Sequence, residues 1–287
     1  MNGSLGMLAA FGLLTLTKAT PIMYAALGGM LGERSGIINI GLEGMMAAGA
    51  FTAVVVSNAT GSPLLGVLAG IIIGAFFGLV LGVAATKFKV DQIVAGVGIN
   101  LICSGGAAFG LVLIFNQPGA SPQVNGLGAN YWWLIVLAFL CAFGLHFALY
   151  RTPWGLRVRA CGENPRAVKN AGLNPLRLRL LAVTVGGALA ALGGAFLSVG
   201  ELNIYSDGMT AGRGFIALAA IIFGRWTPFG SAGAAIIFGF LEALQFSLQG
   251  GSIPSELMQA LPYLAALIAL AGLTGRVRAP AADGVPY

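Results

Sequence analysis

The chain has 287 residues, of which 57% are hydrophobic and only 8% charged, with a mean hydropathy of +0.90 and a net charge of +6. Soluble domains carry about 25% charged residues, so this chain lacks the polar side chains to cover a water-exposed surface, and a soluble globular protein is excluded. The positive charge does not point to nucleic acid, because the basic residues fall in gaps between apolar runs, where membrane topology places them.

A membrane helix needs about 20 apolar residues to cross the hydrocarbon core. On that basis spans are expected at 5–31, 36–57, 63–86, 92–115, 132–150, 180–199 and 257–275. The stretch 209–248 reads as two shorter segments broken at Gly224-Arg225-Trp226-Thr227-Pro228, and Lys18 and Pro21 interrupt the first span, which is one piece or two. The first apolar run leads straight into more membrane sequence, so no cleavable signal peptide is evident. The expected fold is an all-α, polytopic transmembrane bundle of 8–10 helical segments, some discontinuous, forming a single domain over 1–287.

Orientation follows from Lys and Arg. The gap 87–91 holds Lys87 and Lys89, the gap 151–179 holds seven basic residues against the single acid Glu163, and the tail carries Arg276 and Arg278. The gaps 116–131 and 200–208 contain no Lys or Arg. By the positive-inside rule the basic gaps and the C-terminus are cytoplasmic. The side of the N-terminus depends on whether 5–31 crosses once.

Gly70, Gly74, Gly78 and Gly82 recur every four residues in the third span and form a smooth helix stripe. Such stripes let helix backbones approach closely. Polar residues within spans are costly and usually face a cavity or a partner. Asn39 and Glu43, four apart, are expected on one helical face; Gln92, Gly96, Asn100 and Ser104 form a second polar stripe; Glu242, Gln245 and Gln249 form a third. Two readings stand: a shared hydrophilic path for a small polar solute, or interhelical hydrogen bonds and caps on broken helices.

No catalytic constellation is present. His146 lies in an apolar span beside aromatic residues and reads as packing; Cys103, Cys141 and Cys161 have neither metal spacing nor a disulfide framework. There is no HExxH pair, no GxSxG elbow and no GxxxxGK[ST] phosphate loop. The chain therefore holds no cofactor, and ATP-driven work would need an ATPase on another polypeptide.

The loop 151–179 is patterned. Thr152-Pro153-Trp154-Gly155 reads as a turn leaving the membrane. Glu163-Asn164-Pro165 then resembles a helix start, with Asn164 as cap and Pro165 at the first position. A short helix is expected from Pro165 to Ala171, ended by Gly172, with Ala167, Val168 and Ala171 able to share one face and fill a groove on a cytoplasmic partner. A surface helix held by anionic lipid is the other reading.

The run Gly32-Glu33-Arg34-Ser35-Gly36-Ile37-Ile38-Asn39-Ile40-Gly41-Leu42-Glu43-Gly44 resembles the signature of permease subunits in bacterial nucleoside ABC importers, within the broader family of ribose, simple-sugar and branched-chain amino-acid permeases. Thr20-Pro21 leading to Ala25–Gly28, Gly155–Pro165 and Gly212–Ala219 fit the same group in the same order. The resemblance implies a multi-pass protein of the bacterial cytoplasmic membrane that pairs with a second copy or a sibling permease. It implies docking on cytoplasmic ABC ATPases, which bind the ATP, and delivery of the solute by an extracytoplasmic binding protein. It also carries the coupling helix onto Pro165–Gly172. Simple sugars are the alternative cargo. A secondary transporter is a further alternative, disfavoured by the few membrane carboxylates.

Overall fold

The computed structural model describes residues 2–248, 260, 263–264 and 278–285. Gln249, Arg276 and nearly all of the expected span 257–275 lie outside the described residues. Among the described residues the chain is helical without strands: α1 (Asn2–Ser35), α2 (Leu42–Thr60), α3 (Pro63–Thr86), α4 (Gln92–Phe115), α5 (Trp132–Arg151), α6 (Pro153–Glu163), α7 (Pro165–Asn170), α8 (Pro175–Ala195), α9 (Arg213–Phe223) and α10 (Pro228–Leu248). Seven of these helices, α8 counted with its extension to Leu202, are long and apolar enough to cross a membrane. The helix α9 is not.

The elements divide between two faces. One gathers the end of α1, the α3–α4 turn, α6, α7, the start of α8 and the tail 278–285; it carries Arg34, Lys87, Lys89, Arg166 and Lys169 and is called here the basic face. The other gathers the end of α2, the loop 116–131 and the end of α8, tied together by Ser57 Oγ donating to Asn125 O (2.6 Å) and Val124 N donating to Asn203 O (2.9 Å). The first span is a single helix that passes through Pro21 and ends on the basic face, so α1 begins on the opposite one.

Lys18 and Pro21 therefore do not divide it. Outward-facing side chains of α3, α4 and α5 are large and apolar, such as Ile72, Leu101 and Phe143, all more than half exposed, as a lipid-facing surface requires. Between helices the packing relies on small residues. The α3 glycine stripe lies on α8: a Cβ added at Gly78 would sit 2.5 Å from Val183 O and 3.0 Å from Thr184 Cα. Backbone-to-backbone approach at that distance gives van der Waals contact in lipid, where hydrophobicity supplies no driving force.

Two expectations need correction. The span 36–57 is not helical at its start: 36–41 is irregular and α2 begins at Leu42. The segment Gly-Ile-Ile-Asn-Ile-Gly is rich in β-branched residues between glycines, a composition that favours extended backbone. And Thr152–Gly155 is not a turn but the start of α6, capped by Thr152 Oγ1, which accepts from Gly155 N at 3.2 Å, with Pro153 at the first position. The break at 224–227 is where it was expected.

Candidate translocation site and docking face

The irregular segment 36–41 dips from the basic face into the bundle. In lipid every backbone polar group needs a partner, and α4 supplies several of them. Gln92 Oε1 accepts from Ile38 N (2.8 Å), Asn100 Nδ2 donates to Ile40 O (3.0 Å), and Asn100 Oδ1 accepts from Gly44 N (2.7 Å). Gln92 and Asn100 lie eight residues apart on α4, about 12 Å at 1.5 Å per residue. The segment thus descends about a third of the membrane thickness before α2 begins. Close approach is required at Gly44, where a Cβ would meet Asn100 Cα at 2.6 Å.

Asn39 and Glu43 consequently do not share a helical face, since Asn39 precedes the helix. The Asn39 side chain is buried, its Nδ2 near Met45 Sδ (3.5 Å), and its Oδ1 has no partner within the described chain. Glu43 sits in the first turn of α2 and points at a second helix start. Its Oε1 accepts from Gly212 N (2.8 Å) and its Oε2 from Gly214 N (2.7 Å). With 11 residues, α9 spans about 16 Å, so its N-terminus ends inside the membrane with its first N–H groups needing an acceptor. A carboxylate there satisfies two of them and meets the positive end of the helix dipole.

Charged partners continue outward from this point. Arg213, the first residue of α9, pairs with Glu242 of α10, and Lys18 of α1 pairs with Glu201 at the end of α8. Lys18 Nζ also lies 4.3 Å from the centroid of the Phe246 ring, one turn beyond Glu242. Each member is largely buried, and pairing offsets the cost of placing charge in the membrane. Lys18, Glu201 and Arg213 were not among the site residues expected from the sequence, where Lys18 was read only as an interruption of the first span. Gln245 is half-buried next to Glu242, whereas Ser104 lies on the exposed side of α4, away from the 36–44 segment. His146 stacks on Phe229, ring centroids 4.4 Å apart, as packing predicts.

On the basic face Asn164 Oδ1 accepts from Ala167 N (3.1 Å) and caps α7, Pro165 takes its first position, and Gly172 adopts φ +80° just beyond it. The helix ends at Asn170, with Ala171 as its C-terminal cap. Ala167 and Ala171 are exposed, while Val168 is buried against the chain itself and so is turned away from any partner. Glu163 Oε2 accepts from Ala281 N of the tail (3.3 Å). A groove of about 1080 Å³ runs beside α7, with Lys87, Lys89, Arg166 and Lys169 on its walls.

The family described as branched-chain amino acid transport system / permease component matches residues 12–270. The chain is 38% identical to the guanosine ABC transporter permease protein NupQ of Bacillus subtilis, covering 95% of this chain and 94% of that one. It is 35% identical to the nucleoside ABC transporter permease protein NupC of Lactococcus lactis, with the same coverage, and 34% identical to a putative glucose ABC transporter permease protein of Haloferax volcanii over 83% of this chain and 78% of that one. Among solved structures, an inward-facing conformation of a putative metal-chelate type ABC transporter shares the fold, with a TM-score of 0.54 at 18% identity, over 91% of this chain and 85% of the other. A multi-pass bundle with a discontinuous second span, a half-crossing α9 and a capped helix on its basic face thus has relatives over 95% of its length, and the chain belongs to the family of transport-system permease components.

Proposed function

We propose that this chain forms half of the transmembrane pathway of an ATP-driven importer whose cargo is a nucleoside. The carrying observation is the junction at Glu43, where an irregular segment, the start of α2 and the start of α9 converge inside the membrane beside Asn39. Discontinuous helices with half-helix ends at mid-depth are the usual setting for a polar solute site in a transporter. Asn39 Oδ1 is an unpaired acceptor suited to a ribose hydroxyl or a base N–H. The nucleoside assignment draws on the relatives named for guanosine and nucleosides.

In this reading the basic face is cytoplasmic, by the positive-inside rule, and α7 docks on a separate ABC ATPase through Ala167 and Ala171, with Glu163, Asn164, Pro165 and Gly172 fixing its position. A second permease chain completes the pathway. Weaker relatives support a sibling chain: NupB of Lactococcus lactis and NupP of Bacillus subtilis bear the same system names as the two stronger matches. An extracytoplasmic binding protein delivers the cargo.

The test is uptake of labelled guanosine by cells lacking or carrying this chain and its ATPase. Uptake that requires both, and that survives collapse of proton and sodium gradients, is expected. Vesicles holding this chain alone that accumulate solute on addition of ATP would overturn the subunit assignment. The glucose-named relative favours one second reading, a simple sugar as cargo. Competition of unlabelled ribose and glucose against guanosine separates the two.

A further inference from the structure

The basic face contains a buried arginine that the docking reading leaves unused. Arg179, in the second turn of α8, is 1% exposed. Its guanidinium donates to three carbonyls on two other segments: Nε to Ser35 O (3.1 Å), Nη1 to Val285 O (3.0 Å) and Nη2 to Ala282 O (3.2 Å). Burying a charge this fully is costly unless it is hydrogen-bonded, and here the partners are the end of α1 and the tail.

The tail residues 280–285 in turn reach two places. Ala282 N donates to Gly162 O (2.8 Å) and Ala281 N to Glu163, both in the last turn of α6 and immediately before α7. On the other side Gly284 packs on Ile38, within the irregular segment, where an added Cβ would lie 2.8 Å from Ile38 Cδ1. Gly36, at φ +96°, leaves the space that the guanidinium occupies: a Cβ there would sit 2.5 Å from Nη2 and 3.0 Å from Ala282 O. The tail is thus a strap laid between the element that precedes α7 and the segment that leads down to Asn39 and Glu43.

We propose that Arg179 and the strap 280–285 carry movement of α7 to the irregular segment 36–41, so that ATPase cycling reshapes the junction at Glu43. The proposal rests on the reading of α7 as the ATPase-docking helix. A push on α7 moves Gly162 and Glu163; the strap follows through the Ala282 N–H bond to Gly162 O and the Ala281 N–H bond to the Glu163 carboxylate; Arg179 and Gly284 transmit the shift to Ser35, Gly36 and Ile38. Arg179 is a positioning residue, acting through the backbone it holds rather than by touching cargo.

The experiment uses the whole transporter in proteoliposomes and reads cargo moved per ATP hydrolysed, together with crosslinking from Ala167→Cys to the ATPase. Ala282→Pro removes the N–H that bonds Gly162 while leaving the Ala282 carbonyl for Arg179. It is expected to keep ATP hydrolysis and the α7 crosslink but to lower cargo per ATP by about tenfold, within the usual range of coupling between sites. Arg179→Lys, which retains the charge and one or two of the bonds, should fall between parent and Ala282→Pro. A chain ending at Arg278 should behave as Ala282→Pro does. Unchanged cargo per ATP in both Ala282→Pro and the shortened chain would overturn the linkage while leaving the docking reading intact. Absence of the crosslink in the otherwise unaltered transporter would overturn the docking reading and the linkage with it.

Discussion

Replacing Glu43 by Gln keeps the size of the side chain and removes its charge. In the native arrangement both carboxylate oxygens accept from backbone N–H groups of the α9 start, at 2.8 and 2.7 Å, distances typical of charge-assisted bonds. A Gln offers one acceptor oxygen, so one N–H is left unpaired inside the membrane, at a cost of about 1–3 kcal/mol. Loss of the negative charge at a partly buried helix N-terminus adds about 1–2 kcal/mol. The junction is therefore weakened by about 2–5 kcal/mol, a factor of about 30 or more in any equilibrium that depends on α9 staying seated on α2. Initial uptake of guanosine in proteoliposomes, normalised to reconstituted protein, should fall by that order, while membrane insertion and ATPase association persist. If Glu43→Gln transports as the parent does, the junction is a passive cap and transport does not depend on α9 staying seated on α2.

Three further outcomes follow from the packing and the charges. Gly78→Leu places a side chain against α8 backbone that cannot yield, so the folded protein should be lost or its melting temperature in detergent lowered by overpacking of about 1–3 kcal/mol or more, whereas Gly98→Leu, with open space around it, should melt as the parent does. Arg213→Gln or Glu242→Gln alone strands a charge and should destabilise by about 3–5 kcal/mol, but the double substitution should recover most of that loss; equal melting temperatures for the two single variants and the parent would contradict the pairing. Asp283, on the strap, faces Arg179 and Glu33; burial pushes its carboxyl from 3.8 up to about 7, with Arg179 opposing. A raised acid stabilises the docked strap fully below pH 3.8, and the contribution is lost as pH rises through about 7, so protection of the Ala282 amide, taken relative to its intrinsic exchange rate at each pH, should fall across that window in the parent and stay level in Asp283→Asn.

Much of this architecture is legible in the residues. The bounds of α3 and α4 coincide with their apolar runs because Pro63 and Asp91 mark the starts locally, and Asp91 Oδ1 accepts from Ile93 N and Val94 N as a helix cap. Asn164-Pro165 and Gly172 bound α7 by the same local chemistry. Thr152-Pro153 carries an equivalent start signal for α6, which the turn-like Pro-Trp-Gly sequence obscured. The irregular segment was hidden because hydropathy does not distinguish an apolar extended run from a helix; its β-branched residues between Gly36 and Gly41 were the available signal. Partners were beyond reach of any local pattern. Lys18 and Glu201 are 183 residues apart, and Asn100 bonds backbone 56 to 60 residues away. Val168 faces inward because α7 lies flat on the bundle, which fixes which side of a six-residue helix is covered.

In the proposed mechanism cargo passes the junction beside Asn39, and this junction changes with the ATPase cycle. It is tested most directly by Asn39→Cys in a chain whose native Cys103, Cys141 and Cys161 have been replaced. The whole transporter, with its ATPase and binding protein, is labelled with a small water-soluble thiol reagent in the nucleotide-free and ATP-trapped states, with and without guanosine. Labelling that differs between the two states and is slowed by guanosine is expected. A cysteine at position 39 that stays unreactive in every state, or reacts at one rate regardless of ATP and guanosine, would contradict it.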